Sequence, residues 1–359
     1  MSQYSPKKDL KLPNQPTPGF LLADRRTEST FEEIPVIDFK AATSNDPRAR
    51  RELADLIRDA CINVGFFYLK NHGIPQELID KTVEAGKRFF TLPDEEKMKL
   101  DIHKSSNYKG YTALLGENTN AEGLGDLHEG FDIGWEPESE PNQDTQSMVR
   151  EDGAMTGGNV WPNPKDLPGF RKAFLAYYHS VIKLGKLLFP IFALALDLPE
   201  TFFDDKTTKP AAIMRLLHYP PQSPTKLDAQ DDRQIGIGSH TDYECFTILW
   251  QDSAGGLQVQ NASGKWIDAI PVAGTVVVNL GDQFSRWTND VFKSTVHRVI
   301  NRSGLERYSI PLFFGTDYEV LLEPIPTCVS PGTPIKYEVV TAGEYVRSRL
   351  EATYGHSTS

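Results

Sequence analysis

The first clear apolar pattern is the run Ile34-Pro35-Val36-Ile37-Asp38, which predicts a short strand. Asn45-Asp46-Pro47 then predicts a helix start, with Asp46 as the cap and Pro47 at the first helical position. Leu53, Leu56, Ile57 and Ala60 follow at helical spacing and predict one buried face. Residues 65–69 (GFFYL) read as an aromatic strand, and Asn71-His72-Gly73 as a turn in which His72 is structural. A second amphipathic helix carries Leu78, Val83, Phe89 and Phe90. Leu92-Pro93-Asp94-Glu95-Glu96-Lys97 opens a short helix with its acids at the positive end of the dipole. Residues 103–165 are rich in Gly, Asn, Asp, Glu and Pro and predict irregular loops with a strand or two. A long helix is expected over 168–197, kinked or split at Pro190.

From about residue 211 the texture changes. Short apolar runs at 213–219, 235–239, 246–250, 256–259, 275–280, 294–300 and 308–314 alternate with Gly, Asn, Asp and Pro. So many strands at this spacing predict a sandwich or barrel. A last helix is expected near 342–353, and there is no internal repeat. The first 30 residues are polar and hold four prolines, which predicts a surface arm or a disordered tail.

Composition narrows the class. Thirty-eight basic residues against 49 acidic ones give a formal charge of −11, so a polyanion partner is a poor match and neither nucleic acid nor anionic membrane is expected. Three separated cysteines, Cys61, Cys245 and Cys328, form no disulfide framework, which suits a reducing compartment. The richest apolar run, 187–198, contains Pro190 and falls short of the roughly 18 residues of a membrane span. The N-terminus has no apolar core of a signal peptide and the C-terminus no retention signal. The expectation is a soluble cytoplasmic protein with a small-molecule partner and no obligate protein partner.

The chemistry is in the histidines. Of eight, only His240 has an aspartate two residues on, in Gly238-Ser239-His240-Thr241-Asp242. That spacing alone is weak. Fifty-four residues separate Asp242 from a second candidate, His297, on an alternating strand where Thr295, His297 and Val299 share a face. Ten residues further, Arg307 and Ser309 also share a strand face. Two imidazoles and a carboxylate occupy one face of an octahedral Fe(II) and leave three positions open, whereas Zn(II) more often takes a closed tetrahedron. Open positions admit a bidentate organic ligand and O2, and an arginine with a hydroxyl can hold that ligand's far carboxylate.

The HxD…H…RxS arrangement resembles the iron(II)/2-oxoglutarate-dependent dioxygenases of the isopenicillin N synthase-like superfamily. Further segments carry the likeness in order: IPVIDF (34–39), NVGFFYLKNHGIP (63–75), FFTLPDEEK (89–97), GGLQV (255–259), VVVNLGDQ (276–283) and STVHRV (294–299). The resemblance spans about 34 to 350. It implies a mainly β protein with flanking helices: a double-stranded β-helix (jelly roll) core and a helical N-terminal region. With the polar arm over 1–30, the expected division is an N-terminal dioxygenase region over 31–165, a long helix and linker over 166–210, the jelly-roll core over 211–320, and a C-terminal strand and helix over 321–359.

By the same resemblance, His240, Asp242 and His297 match the iron ligands. Arg307 and Ser309 match the pair that binds the distal carboxylate of 2-oxoglutarate, with Tyr219 as a third contact. The family's asparagine near that tyrosine is Leu217 in this chain, and Arg215, two residues earlier, is a candidate replacement. The implied reaction is hydroxylation or desaturation of a small molecule of secondary metabolism, coupled to decarboxylation of 2-oxoglutarate to succinate and CO2, with O2 consumed. Tyr243, Phe246 and Trp287 are candidates to face the substrate, with packing the rival reading of Tyr243 and a core position that of Phe246, and Phe314 is expected to pack behind Arg307. His128 lies in a segment expected at the mouth of the site, where Glu117 and Glu129 could read a polar substrate, with a solvated loop carboxylate as the plainer reading of each. Two alternatives stay open: a non-haem iron oxidase that uses no 2-oxoglutarate, and a jelly-roll binding protein without metal.

Overall fold

The structure is a computed structural model that describes Leu22 and residues 30–105, 107–119, 125–138, 158–222, 235–301 and 303–354. Most of the expected N-terminal arm lies outside the described residues. Strand β1 (Val36–Asp38) leads into helix α1 (Pro47–Asn63), capped by Asp46, whose carboxylate accepts from the Arg48 amide at 2.9 Å. Leu53, Ile57 and Ala60 are buried as the spacing predicts, but Leu56 is 57% exposed and does not belong to that face. Strand β2 (Phe66–Lys70), helix α2 (Gln76–Phe90) and the short helix α3 (Asp94–Lys97) follow. The segment expected to be irregular contributes β3 (Gly110–Thr112) and β4 (Glu129–Ile133).

Helix α4 (Phe170–Ala195) runs unbroken through Pro190, so the expected split does not occur. It packs on α1, α2 and the main sheet, and this surrounding contact outweighs the one backbone hydrogen bond that proline removes. By length and mean hydropathy α4 is also apolar enough to span a membrane, contrary to the sequence expectation. Its Phe174, Tyr177, Tyr178, Leu188 and Phe192 are instead buried in the protein core.

Strands β5 (Ala212–Tyr219), β6 (Ile237–His240), β7 (Phe246–Gln251), β8 (Leu257–Gln260), β9 (Trp266–Asp268), β10 (Thr275–Leu280), β11 (His297–Val299) and β12 (Arg307–Phe314) complete the strand set. Helices α5 (Asp282–Trp287) and α6 (Ala342–Tyr354) lie among and after them. Residues 321–341 hold a short 3-10 helix (Pro326–Cys328) and two isolated bridges, Leu321 with Thr341 and Ser330 with Thr333, in place of the expected C-terminal strand.

The strands build a jelly roll of two sheets. The larger has the order β1-β2-β10-β7-β12-β5-β4-β3, and the smaller β6-β11-β8-β9. Alternation along each strand decides what goes where. On β12, Tyr308, Ile310, Leu312 and Phe314 face the helices, whereas Arg307, Ser309, Pro311 and Phe313 line a cavity on the other face. On β5, Met214 and Leu216 face the helices, and Ile213, Arg215, Leu217 and Tyr219 the cavity. The helices therefore seal one face of the large sheet. The small sheet closes the other, and the chemistry lies between the sheets.

Candidate active site

His240 ends β6 and His297 begins β11, and the two are direct partners across that ladder. Their ring centres stand 4.2 Å apart. Asp242, two residues beyond His240, turns Oδ1 toward them, 3.6 Å from Nε2 of each. One ligand atom from each of the three residues lies within 4.8 Å of the others. Each remaining atom is anchored. His240 Nδ1 meets the Gly238 carbonyl at 2.9 Å and His297 Nδ1 the Thr295 carbonyl at 3.1 Å, which directs both Nε2 atoms inward. Asp242 Oδ2 accepts from Asn279 Nδ2 at 2.6 Å and from the Thr247 hydroxyl.

Electrostatics suit a cation. Burial raises the Asp242 carboxyl, but His297, His240 and the two hydrogen bonds outweigh it and hold the group below its ordinary value. Burial, with His240 alongside, pushes His297 down to about 4, so its imidazole is neutral and ready to ligate. Two nitrogens and one carboxylate oxygen converging from one side are the donor set that suits Fe(II) with open positions.

The same cavity, about 190 Å³, contains Arg307 at the start of β12. Arg307 is fully buried. Its Nε donates to the Gly255 carbonyl at 2.6 Å, Nη1 to Ser309 Oγ at 3.1 Å and Nη2 to Gln251 Oε1 at 3.3 Å. The guanidinium lies 4.5 Å from the centre of the Tyr219 ring, its direct partner across the β12–β5 ladder. Every one of these partners is neutral. A buried guanidinium that meets no carboxylate among the described residues, facing a cavity, fits an anionic ligand.

Several expected residues stand elsewhere. Tyr243 lines the cavity, with the Arg349 guanidinium 4.8 Å over its ring. Phe246 and Trp287 do not line it. Phe246 sits at an even position of β7, on the helix side, stacked on Phe314 at 5.2 Å and packed against Phe189 and Phe192. Trp287 packs on Phe203 and Phe284 in that same core. By the same parity Phe314 belongs to this aromatic core and not behind Arg307. Cys245 is a buried thiol of this core, as its apolar context predicts.

The loop carboxylates are not solvated. Glu129 is buried among Lys97, Tyr111 and His218, away from the cavity. Glu117 is buried at the cavity wall. Arg215 binds carboxylates: its Nη2 and Nη1 bind Glu117 at 2.7 and 3.1 Å, and its Nε binds Asp132 at 2.8 Å. His128 is buried, with Nδ1 on the Gly236 carbonyl at 2.9 Å and Nε2 3.2 Å from Glu117. Sequence reasoning missed Thr247, Asn279 and Asp132. Thr247 and Asn279 are polar residues inside apolar strand runs, which was the available signal, whereas Asp132 lies in a stretch that reads as loop, where a carboxylate gives none.

Comparison with known proteins agrees with this geometry. Residues 210–316 match the 2OG-Fe(II) oxygenase superfamily, and residues 34–164 match the non-haem dioxygenase in morphine synthesis N-terminal family. The chain is 40% identical over 325 residues to the 2-oxoglutarate-Fe(II) type oxidoreductase hxnY of Emericella nidulans, covering 90% of this chain and 91% of that one. It is 36% identical over 308 residues to a homoarginine-6-hydroxylase of Glycine max, covering 83% and 89%. The crystal structure of a full-length Neurospora crassa protein in complex with alpha-KG and thymine superposes with a TM-score of 0.77 at 31% identity, covering 89% of this chain and 96% of that one.

Proposed function

This chain belongs to the 2OG-Fe(II) oxygenase superfamily, and from that premise we propose how its residues divide the work. It is an Fe(II)- and 2-oxoglutarate-dependent oxygenase that oxidises a small metabolite. In our reading His240, Asp242 and His297 hold the metal. Arg307 receives the distal carboxylate of 2-oxoglutarate, with Ser309 and Tyr219 completing that end. The observation that carries the assignment is the buried Arg307, with no carboxylate partner among the described residues, in the cavity that also holds the triad.

Fe(II) bound there supplies the redox chemistry that couples decarboxylation of 2-oxoglutarate, with O2, to oxidation of a substrate C–H bond. The chain's own part is positional. Asn279 and Thr247 fix the Asp242 carboxylate. Gln251 and the Gly255 carbonyl fix the Arg307 fork. Phe66, whose ring centre is 5.2 Å from that of His297, shields the metal face from water. Substrate C–H, 2-oxoglutarate and O2 together give C–OH, succinate and CO2. We read the outcome as hydroxylation, in line with the hydroxylase among the relatives, with desaturation as the second reading. The oxidase and metal-free binding alternatives give way to this one. We read the location as cytoplasmic, since three buried cysteines far apart in sequence suit a reducing compartment.

The test is spectroscopic and chemical. Anaerobic protein with Fe(II) should develop the weak visible chelate band when 2-oxoglutarate is added, and should release succinate in air when a substrate is present. Asp242→Ala should lose metal binding and both signals. An Asp242→Ala protein with wild-type turnover under matched iron would falsify the assignment.

A further inference from the structure

The metal triad and Arg307 leave one part of the cavity wall unexplained. Asp132 on β4 and Arg215 on β5 are partners across that ladder, one cavity-facing rung beyond Gly130 and Leu217. Leu217 separates Arg215 from Tyr219 along β5, and His128, bonded to Glu117, lies with its ring centre 5.6 Å from that of Tyr219, so the cluster adjoins the proposed cosubstrate contacts. Ile213, Pro311, Phe313 and Leu249 make the wall around it apolar. A substrate in this space therefore has an apolar body and one polar group to place.

What the cluster's two carboxylates offer is acceptors. Three guanidinium N–H groups of Arg215 are committed to the oxygens of Glu117 and Asp132. Asp132 is 4% exposed, and only its Oδ1 accepts a hydrogen bond from the described residues. Its Oδ2 receives none from them. A carboxylate has capacity for about four hydrogen bonds, so Asp132 keeps acceptor capacity on the cavity wall. Burial raises Asp132, and Glu117 adds to this against the pull of Arg215, to about 6. A hydrogen-bond donor at Oδ2 uses that capacity and favours the ionised carboxylate. A substrate carboxylate meets Asp132 and Glu117 as like charges; a hydroxyl can donate as an N–H does, but a cationic nitrogen group also offsets the second carboxylate, since two carboxylates face one guanidinium.

We propose that Asp132 is a specificity-determining residue whose Oδ2 accepts an N–H of a nitrogenous substrate: an amine, guanidine, amide or ring N–H. This rests on the 2-oxoglutarate oxygenase reading above. It assigns the polar end of the substrate, not its carbon skeleton.

The test uses the full chain loaded with Fe(II) and 2-oxoglutarate and measures succinate release in air. Butylguanidine, nicotinamide and uracil are set against matched probes without N–H: pentanoate, N,N-dimethylnicotinamide and 1,3-dimethyluracil. At least one N–H probe is expected to raise succinate release about ten-fold over the substrate-free rate, with its partner inactive. Asp132→Asn keeps an oxygen for Arg215 and turns the other position into a donor. It is expected to raise the apparent KM of the active probe about ten-fold or more. Its chelate band should form at the same 2-oxoglutarate concentration as in the wild type, which also shows that the variant is folded. Stimulation by the N–H-free set, no stimulation by any N–H probe, or an unchanged KM in Asp132→Asn overturns the inference. A wild-type protein that forms no chelate band instead sinks the cosubstrate assignment, and this inference with it.

Discussion

At the scale of single residues, the site is built by side chains that hold other side chains. Asn279 touches no ligand position; it holds Oδ2 of Asp242 at 2.6 Å and so orients Oδ1 toward the two histidines. Asn279→Ala is expected to weaken Fe(II) affinity by about 10- to 100-fold, the usual effect of losing a group that orients a metal ligand. Anaerobic Fe(II) titration measures it, and unchanged affinity would remove Asn279 from this role. Arg307 is held by a carbonyl, a hydroxyl, an amide oxygen and an aromatic face, a set shaped for a planar fork. Lysine supplies a point charge that cannot reproduce it. Arg307→Lys should therefore raise the apparent KM for 2-oxoglutarate about ten-fold or more, from the loss of one charge-assisted bond of about 1.5–3 kcal/mol. Iron affinity should stay within a few-fold. A KM left at the wild-type value would reassign Arg307.

At the scale of elements, parity and closure decide function. One register step on β7 or β12 would exchange the aromatic core for the cavity wall, which is why Thr247 and Ser309 face the cavity while Phe246 and Phe314 do not. The C-terminal helix α6 adds Val346 and Leu350 to the cavity wall. It is tied to α5 by the Tyr345 hydroxyl on Asp282 at 3.2 Å and by Gln283 on the Ala342 carbonyl at 3.3 Å. A chain ending at Thr341 opens the cavity to water on that side. It should still bind Fe(II), because no ligand comes from α6, but should consume more 2-oxoglutarate per substrate oxidised. Succinate-to-product ratios compare the two proteins, and an unaltered ratio would show that α6 does not close the site.

At the scale of the whole molecule, the N-terminal and C-terminal halves share one sheet. β2 pairs with β10 from Lys70 opposite Thr275 to Phe66 opposite Asn279, so an N-terminal strand flanks the strand that orients the metal ligand. Helices α1, α2 and α4 cover that sheet's other face. A chain beginning at residue 200 loses β1 to β4 and these helices, which leaves β5 and β10 with bare edges and the aromatic core uncovered. It is expected to be insoluble or molten. A cooperative thermal melt with native near-ultraviolet dichroism would contradict this.

The local rules were legible without a structure. Asp46 and Pro47 mark a helix start wherever they stand before a helical pattern, because capping acts within one turn. The alternation of 308–314 marks a strand because its period is local. The HxD…H…RxS spacing, with its resemblance, pointed to the metal and to 2-oxoglutarate. What the sequence could not supply was which face of each strand meets which layer. Phe246 and Trp287 are aromatic residues close in sequence to the site, and nothing local tells a core face from a cavity face. Arg215 binds Asp132 and Glu117 from 83 and 98 residues away. Their meeting depends on β4 lying beside β5 in a fixed register. Pairing energies between distant strands depend on the whole packed sheet, so only the tertiary structure turned three scattered charges into one wall of the cavity.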